Sequence, residues 1–173
     1  MRIFLFTLLA LVLTACSKPY DKYIGYWKAE GTKSPRVLEI YKEGKDTYLV
    51  NDNILSEKDW FGNKKNGTVL EQTDKELGVN NGLTVVKFNV SEDGKTLRIS
   101  NKQYTKISED EVQTIVKNKQ ACDDLRTKYL EEAKTFNIFA KTAEKTKQEQ
   151  IKESYLAKQK EISDCNFYIS KAY

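Results

Sequence analysis

Asn81-Gly82-Leu83-Thr84-Val85-Val86-Lys87-Phe88-Asn89-Val90-Ser91-Glu92-Asp93-Gly94-Lys95-Thr96-Leu97-Arg98-Ile99-Ser100 is the stretch that decides the fold class. Val86, Phe88 and Val90 share one face of an extended chain, and Leu97 and Ile99 share another, the period of two that half-buried strands require. Asn81-Gly82 and Asp93-Gly94 bracket the first run, and such dipeptides accept the positive φ of the primed turns joining antiparallel neighbours. Outward from there the pattern repeats. Leu38 and Ile40 face one way against Val37 and Tyr41, while Glu43-Gly44 and Asn66-Gly67 mark further turns. The spacing predicts strands near 24–30, 36–42, 46–51, 67–72, 75–79, 83–90, 95–100 and 102–106, with a longer loop over 56–66. Such a meander closes into a small barrel or curls as a roll, because either arrangement removes or shortens exposed strand edges.

Beyond residue 94 the chain contains neither glycine nor proline, although it has eight and two of them in all. Ser108-Glu109-Asp110-Glu111 is a capping box: a serine to accept from the first turn, and a glutamate three residues on to reach back. Val112, Ile115, Val116, Cys122, Leu125, Tyr129, Ala133, Phe136 and Ala140 then form one helical stripe, and Ile151, Tyr155, Ile162, Cys165 and Ile169 a second. Ala143 to Gln150 holds no hydrophobic anchor and reads as the reversal between two antiparallel helices, a long exposed helix being the alternative. Phe136, Ile138 and Phe139 crowd both faces of the first helix, leaving apolar surface for the β unit or for a partner. The expected class is α+β: a small antiparallel barrel or roll over 24–106, then a helical hairpin over 107–173.

The amino-terminal end carries Arg2 and then an apolar run from Ile3 to Ala15, broken only by Thr7 and Thr14. That is the layout of a secretory leader, and it is shorter than the roughly 20 apolar residues of a spanning helix. Leu13-Thr14-Ala15-Cys16 resembles the bacterial lipobox. The resemblance implies a signal peptide over 1–15, cleavage after Ala15, a thioether-linked diacylglycerol with palmitate-type chains on Cys16, and a tether over 16–23. Two or three acyl chains hold a protein on a membrane where one binds reversibly. An ordinary secretory signal is the competing reading. Ser17 is not the aspartate that keeps many such lipoproteins at the inner membrane, so the expected location is the periplasmic face of the outer membrane.

Acylation of Cys16 leaves two of the three cysteines, Cys122 and Cys165, free to pair in an oxidising compartment. They stand 43 positions apart, a separation whose closure contributes roughly 3 to 4.7 kcal/mol in the chain-entropy model. Both fall on apolar stripes at equal distances from a reversal near Ala143 and Glu144, so a bridge roughly 30 Å from the turn would pin the open end of the hairpin. Two buried free thiols are the alternative.

Gly25-Tyr26-Trp27 resembles the glycine-x-tryptophan opening of lipocalin-like barrels. The resemblance implies that Trp27 plugs one end of a barrel core. A β unit of about 85 residues then fills with its own side chains and leaves no generous pocket.

Chemistry is scarce. The chain has no histidine, the usual general base and commonest metal ligand, and none of its serines sits in a glycine-flanked elbow. Asp123-Asp124 and Glu131-Glu132 are sequence neighbours on a helix and diverge by about 100°. Gly62 to Gly67 lacks the lysine-serine or lysine-threonine ending of a phosphate loop. Lysines are interspersed with acids, and the net charge of +4 falls to +3 once Arg2 is removed, so no nucleic-acid footprint exists. Neither an enzyme nor a metal site is expected, nor any cofactor beyond the covalent lipid on Cys16. The expected activity is that of a membrane-anchored protein-interaction module: an inhibitor, an immunity factor or an assembly accessory acting on an envelope or periplasmic protein. Trp60 and Phe61, in the long loop, are its expected contact residues, unless that loop folds back over the core. The alternative is a lipocalin-like carrier of small apolar ligands.

Overall fold

The computed structural model describes residues 19–56, 67–137 and 139–169. Cys16, Trp60, Phe61 and Ile138 lie outside them. A short 3-10 turn, Asp21–Tyr23, leads into eight strands: β1 Gly25–Ala29, β2 Val37–Glu43, β3 Thr47–Asn51, β4 Thr68–Thr73, β5 Glu76–Asn80, β6 Val85–Val90, β7 Thr96–Ile99 and β8 Lys102–Ile107. Each pairs antiparallel with the next, and β1 pairs with β8, Trp27 opposite Lys106 and Ala29 opposite Tyr104, so the sheet closes as a barrel without a free edge. Two helices follow, α1 Glu109–Ala133 and α2 Thr142–Glu161. Among the described residues no helix is long and apolar enough to cross a membrane.

The turns differ from the expectation. Gly82 and Gly94 do take positive φ, at 87° and 68°, but inside loops of more than two residues. There Asn81 Oδ1 accepts from the amides of Leu83 and Thr84, and Asp93 Oδ1 from Lys95, so the side chains hold the turn as much as the glycines do. The two tight hairpins use non-glycine residues at positive φ, Asp74 at 42° and Ser100 at 53°. In the Asn81 and Asp93 loops, side-chain hydrogen bonding to the local backbone, invisible in a dipeptide count, holds the turn.

Alternation places Trp27, Leu38, Ile40, Tyr48, Leu70, Leu77, Phe88, Leu97 and Tyr104 inside the barrel, all buried. Eight strands enclose a space just wide enough for side chains, and here the aromatic rings occupy it. Gly25 has φ 130°, open to glycine alone, and the lack of a Cβ lets Lys106 from β8 cross it to place Nζ 5.1 Å from the Trp27 ring centroid. Burial pulls the Lys106 ammonium below its ordinary pKa. The 3-10 turn plugs this end. Tyr23 is buried and donates to the Phe88 carbonyl at 3.0 Å, Trp27 Nε1 donates to the Tyr23 carbonyl at 2.9 Å, and Tyr48 donates to Asp21 at 2.8 Å. At the opposite end Arg36 pairs with Asp52 at 2.8 Å.

The helices depart from the expected hairpin in three respects. The reversal is the segment 134–141, not Ala143 to Gln150, which belongs to α2. Alanine, glutamate, lysine and glutamine favour helix strongly, so a run of them sustains a helix without a hydrophobic anchor; only Gln148 of that run is buried. The segment that does turn holds Thr135 and Asn137, whose side chains bond the Glu132 carbonyl and the Phe139 amide. Phe136 therefore lies beyond α1, and Phe139 is exposed in the loop. Finally, α2 ends at Glu161 and the chain turns through Asp164 at φ 59°, so Cys165 sits on a non-helical return segment, not on the second stripe.

The barrel account predicts the cost of removing its plug. Trp27→Ala is expected to destabilise the protein by about 3–5 kcal/mol through the cavity it leaves. Tyr48→Phe, which loses one hydrogen bond to a partly buried carboxylate, should cost about 1–2 kcal/mol. Urea unfolding followed by far-UV circular dichroism ranks the two, and equal costs would contradict a tryptophan-centred core.

Candidate functional site

Ser108 begins α1 as expected: its Oγ accepts from the Glu111 amide at 3.3 Å, and its own amide donates to Glu111 Oε2 at 2.8 Å. The Ser108 amide, and its hydroxyl at 3.1 Å, both donate to Glu111 Oε2 and hold that carboxyl below the usual carboxylate range. From this cap Val112 and Ile115 lie against Val37, Ile54, Leu55, Tyr26 and Ile107 on the outside of the barrel. Further along, Leu125, Tyr129 and Ala133 enter a separate core with Ile151 and Tyr155 of α2 and with Phe167 and Ile169 of the return segment. Tyr129 is its hub, with rings of Tyr155, Phe136 and Phe167 at centroid distances of 5.4, 6.4 and 6.1 Å. The apolar stripe has a gap between these two docking stretches, filled by Lys117, Asn118, Lys119 and Gln120. That gap is where the helix passes the barrel rim.

The rim crossing leaves two clefts. One, of about 480 Å³, lies between Ile54-Leu55-Ser56 and the Val116, Gln120 and Asp124 side of α1. The other, of about 200 Å³, lies among the β1–β2 loop, α1 and the return segment. Lys119 and Asp123 line both and are ion-paired, forming a ridge between them. The Cys122–Cys165 disulfide is formed, with an S–S distance of 1.99 Å, and Cys122 lines the smaller cleft. Lys28 of β1 pairs with Asp164 at 3.4 Å, a second fastening of the return segment to the barrel.

Both disulfide cysteines are thus brought together beside a cleft. Cys16, Trp60 and Phe61 lie outside the described residues. Sequence reading missed two surface features. Leu83 is 95 % exposed at the tip of the β5–β6 loop, which belongs to the same barrel end as the clefts. Arg126 lines the smaller cleft and is the only arginine on either helix, among many lysines. That singularity was legible; its place beside Cys165 required the fold. Among the described residues no group of three histidine, cysteine, aspartate or glutamate side chains could hold a metal ion. No protein-family model, no curated protein and no solved structure matches this chain.

Two outcomes follow from the geometry. Replacing both Cys122 and Cys165 by serine should leave the barrel amides as protected from hydrogen exchange as before while those of α2 and residues 165–169 open. Uniform loss of protection would show instead that barrel and helices unfold as one unit. Because Glu111 is held below its unfolded pKa, its capping contribution is present at neutral pH and is lost as pH falls through the folded value. Glu111→Gln should therefore flatten part of the stability decline on acidification, measured by urea midpoints between about pH 6 and pH 3.

Proposed function

We propose that this chain is a lipoprotein of the bacterial cell envelope, tethered through Cys16 on the periplasmic face of the outer membrane, and that it acts as a non-enzymatic protein-interaction module. The observation that carries the reading is the polarity of the fold. The chain enters the barrel at the end plugged by Tyr23 and Trp27, whereas both clefts, Leu83 and the helix pair belong to the opposite end. With Cys16 four residues before Tyr20, a membrane anchor holds the plugged end close to lipid and turns the clefts toward the periplasm. At 1.5 Å per residue α1 is about 37 Å long, so its far half extends past the rim as an arm. An inhibitor, an immunity factor or an assembly accessory needs such a displayed, rigid surface.

The closed eight-stranded barrel with Gly25 and Trp27 at its opening favours a lipocalin-like carrier as the second reading. Its interior argues the other way, because the space a ligand would take is held by Trp27, Tyr23, Tyr48, Phe88 and Tyr104.

Photo-cross-linking in native membranes tests the choice. A benzoylphenylalanine at Gln120 or Leu83 is expected to capture one defined protein, whereas the same probe at Asn89, exposed on the barrel wall, captures none. Co-purification of fatty acid or phospholipid with the delipidated barrel, with no adduct at either cleft-end position, would overturn the module reading in favour of the carrier. Mass spectrometry should find the mature chain starting at an acylated Cys16.

A further inference from the structure

The smaller cleft is the place where three separate stretches of chain converge: the β1–β2 loop through Ser34 and Pro35, α1, and the return segment through Ser163, Asn166 and Phe167. At about 200 Å³ it is below the roughly 300–1,000 Å³ of sites for drug-sized molecules, and it has room for one or two residues of a peptide. Its charges are unevenly satisfied. Asp123 is taken by Lys119 and Asp164 by Lys28, which leaves Arg126 without an acidic partner among the described residues. Its fork of N–H donors matches a carboxylate in a bidentate pair. Lining the same cleft, the side chains of Asn118, Ser163 and Asn166 make no hydrogen bond among the described residues and can serve a peptide's last amide and carbonyl groups. Phe167 supplies an apolar wall, itself fixed against Tyr129 and by its carbonyl accepting from Gln159 Nε2 at 2.9 Å.

We propose that this cleft binds the free carboxy-terminal carboxylate of a partner polypeptide, with Arg126 as its counter-ion and Phe167 against the last side chain. A chain end fits better than a chain passing through, because about 200 Å³ takes in only one or two residues. A carboxylate matches the single guanidinium that carries no acidic partner among the described residues, one negative charge against one positive. The disulfide is part of the site. It ties the segment bearing Asn166 and Phe167 covalently to α1, which fastens one wall of the cleft to another. The identity of the partner rests on the interaction-module reading, but the carboxylate chemistry stands or falls by itself.

The full oxidised chain in detergent, labelled with nitrogen-15, is titrated with acetyl-Gly-Ala-Phe bearing a free carboxylate, with the same peptide as its amide, with acetyl-Gly-Glu-Gly-amide and with inorganic phosphate. The free acid is expected to shift the Arg126 Nε–H and Asn166 side-chain signals saturably, and the amide to bind at least about 10-fold more weakly. Arg126→Gln should weaken the free acid by a similar factor. Its side chain is exposed, so the variant should fold, and the acid-against-amide comparison decides the matter on the unmodified protein in any case. Equal affinity of acid and amide, preference for phosphate or for the internal glutamate, or no saturable shift at millimolar peptide each overturns the proposal. A protein that cross-links a partner through Gln120 yet ignores the free acid overturns the carboxylate assignment alone.

Discussion

Closure of the sheet between β1 and β8, with Trp27 under the seam, is the constraint on which the remaining structure depends. An open eight-stranded meander presents two rows of unpaired amides and carbonyls and a half-wetted apolar face. Pairing Tyr26 through Ala29 with Tyr104 through Ile107 removes both problems at once. The pairing requires a large apolar group where the strands are closest to the plugged end, and a residue without Cβ beside it. Trp27 and Gly25 meet those demands, and Lys106 lays its stem across the gap so that its charged end reaches the Lys22 carbonyl and the ring. The last strand thus completes the core that the first begins.

Closure also fixes where the helices can go. β8 ends at Ile107, next to Tyr26 at the plugged end, and α1 must start there. The outer face of β1 and β2 is the surface within reach, and Val37 and Tyr26 supply its apolar ground. A helix that starts at one end of a small barrel and is longer than the barrel is tall has to project past the other end. Its projecting half then needs a core of its own. Tyr129, Tyr155 and the return segment supply one, small enough that Lys152 is buried in it with Nζ 5.5 Å from the Phe136 ring centroid. A core this size benefits from a cross-link, since short segments bury too little apolar surface to order themselves.

These dependencies explain which parts of the molecule were legible in the sequence. Strands were, because a two-residue period is enforced on every one of them by the same interior; all eight fall within two residues of the expected bounds. The capping box at Ser108 was, because it is a local device complete in four residues. The reversal between the helices was not, because hydrophobic anchors were taken as the mark of helix where propensity alone sustains one. Cys165 misled for a related reason. It keeps step with Ile151 and Tyr155 by sequence spacing, but it reaches Cys122 from a chain that has turned at Asp164 and left the helix. Period is informative only as long as the chain keeps its direction. The clefts were illegible in principle, since each is bounded by residues far apart in sequence.

The same logic bears on function. A barrel whose interior is consumed by its own stabilisation has only its outside to offer, and most of that outside is strand surface with alternating charge. The exceptions are the places where elements that cannot pack perfectly meet: the rim, where a straight helix leaves a curved sheet. Grooves form there as a consequence of geometry. They bind nothing in particular until side chains make them selective, and in the smaller one Lys119, Asp123 and Asp164 are ion-paired while Arg126 has no acidic partner among the described residues. Under the proposed tether at Cys16 the opposite end would face lipid, and the rim would then be the surface turned toward an approaching partner.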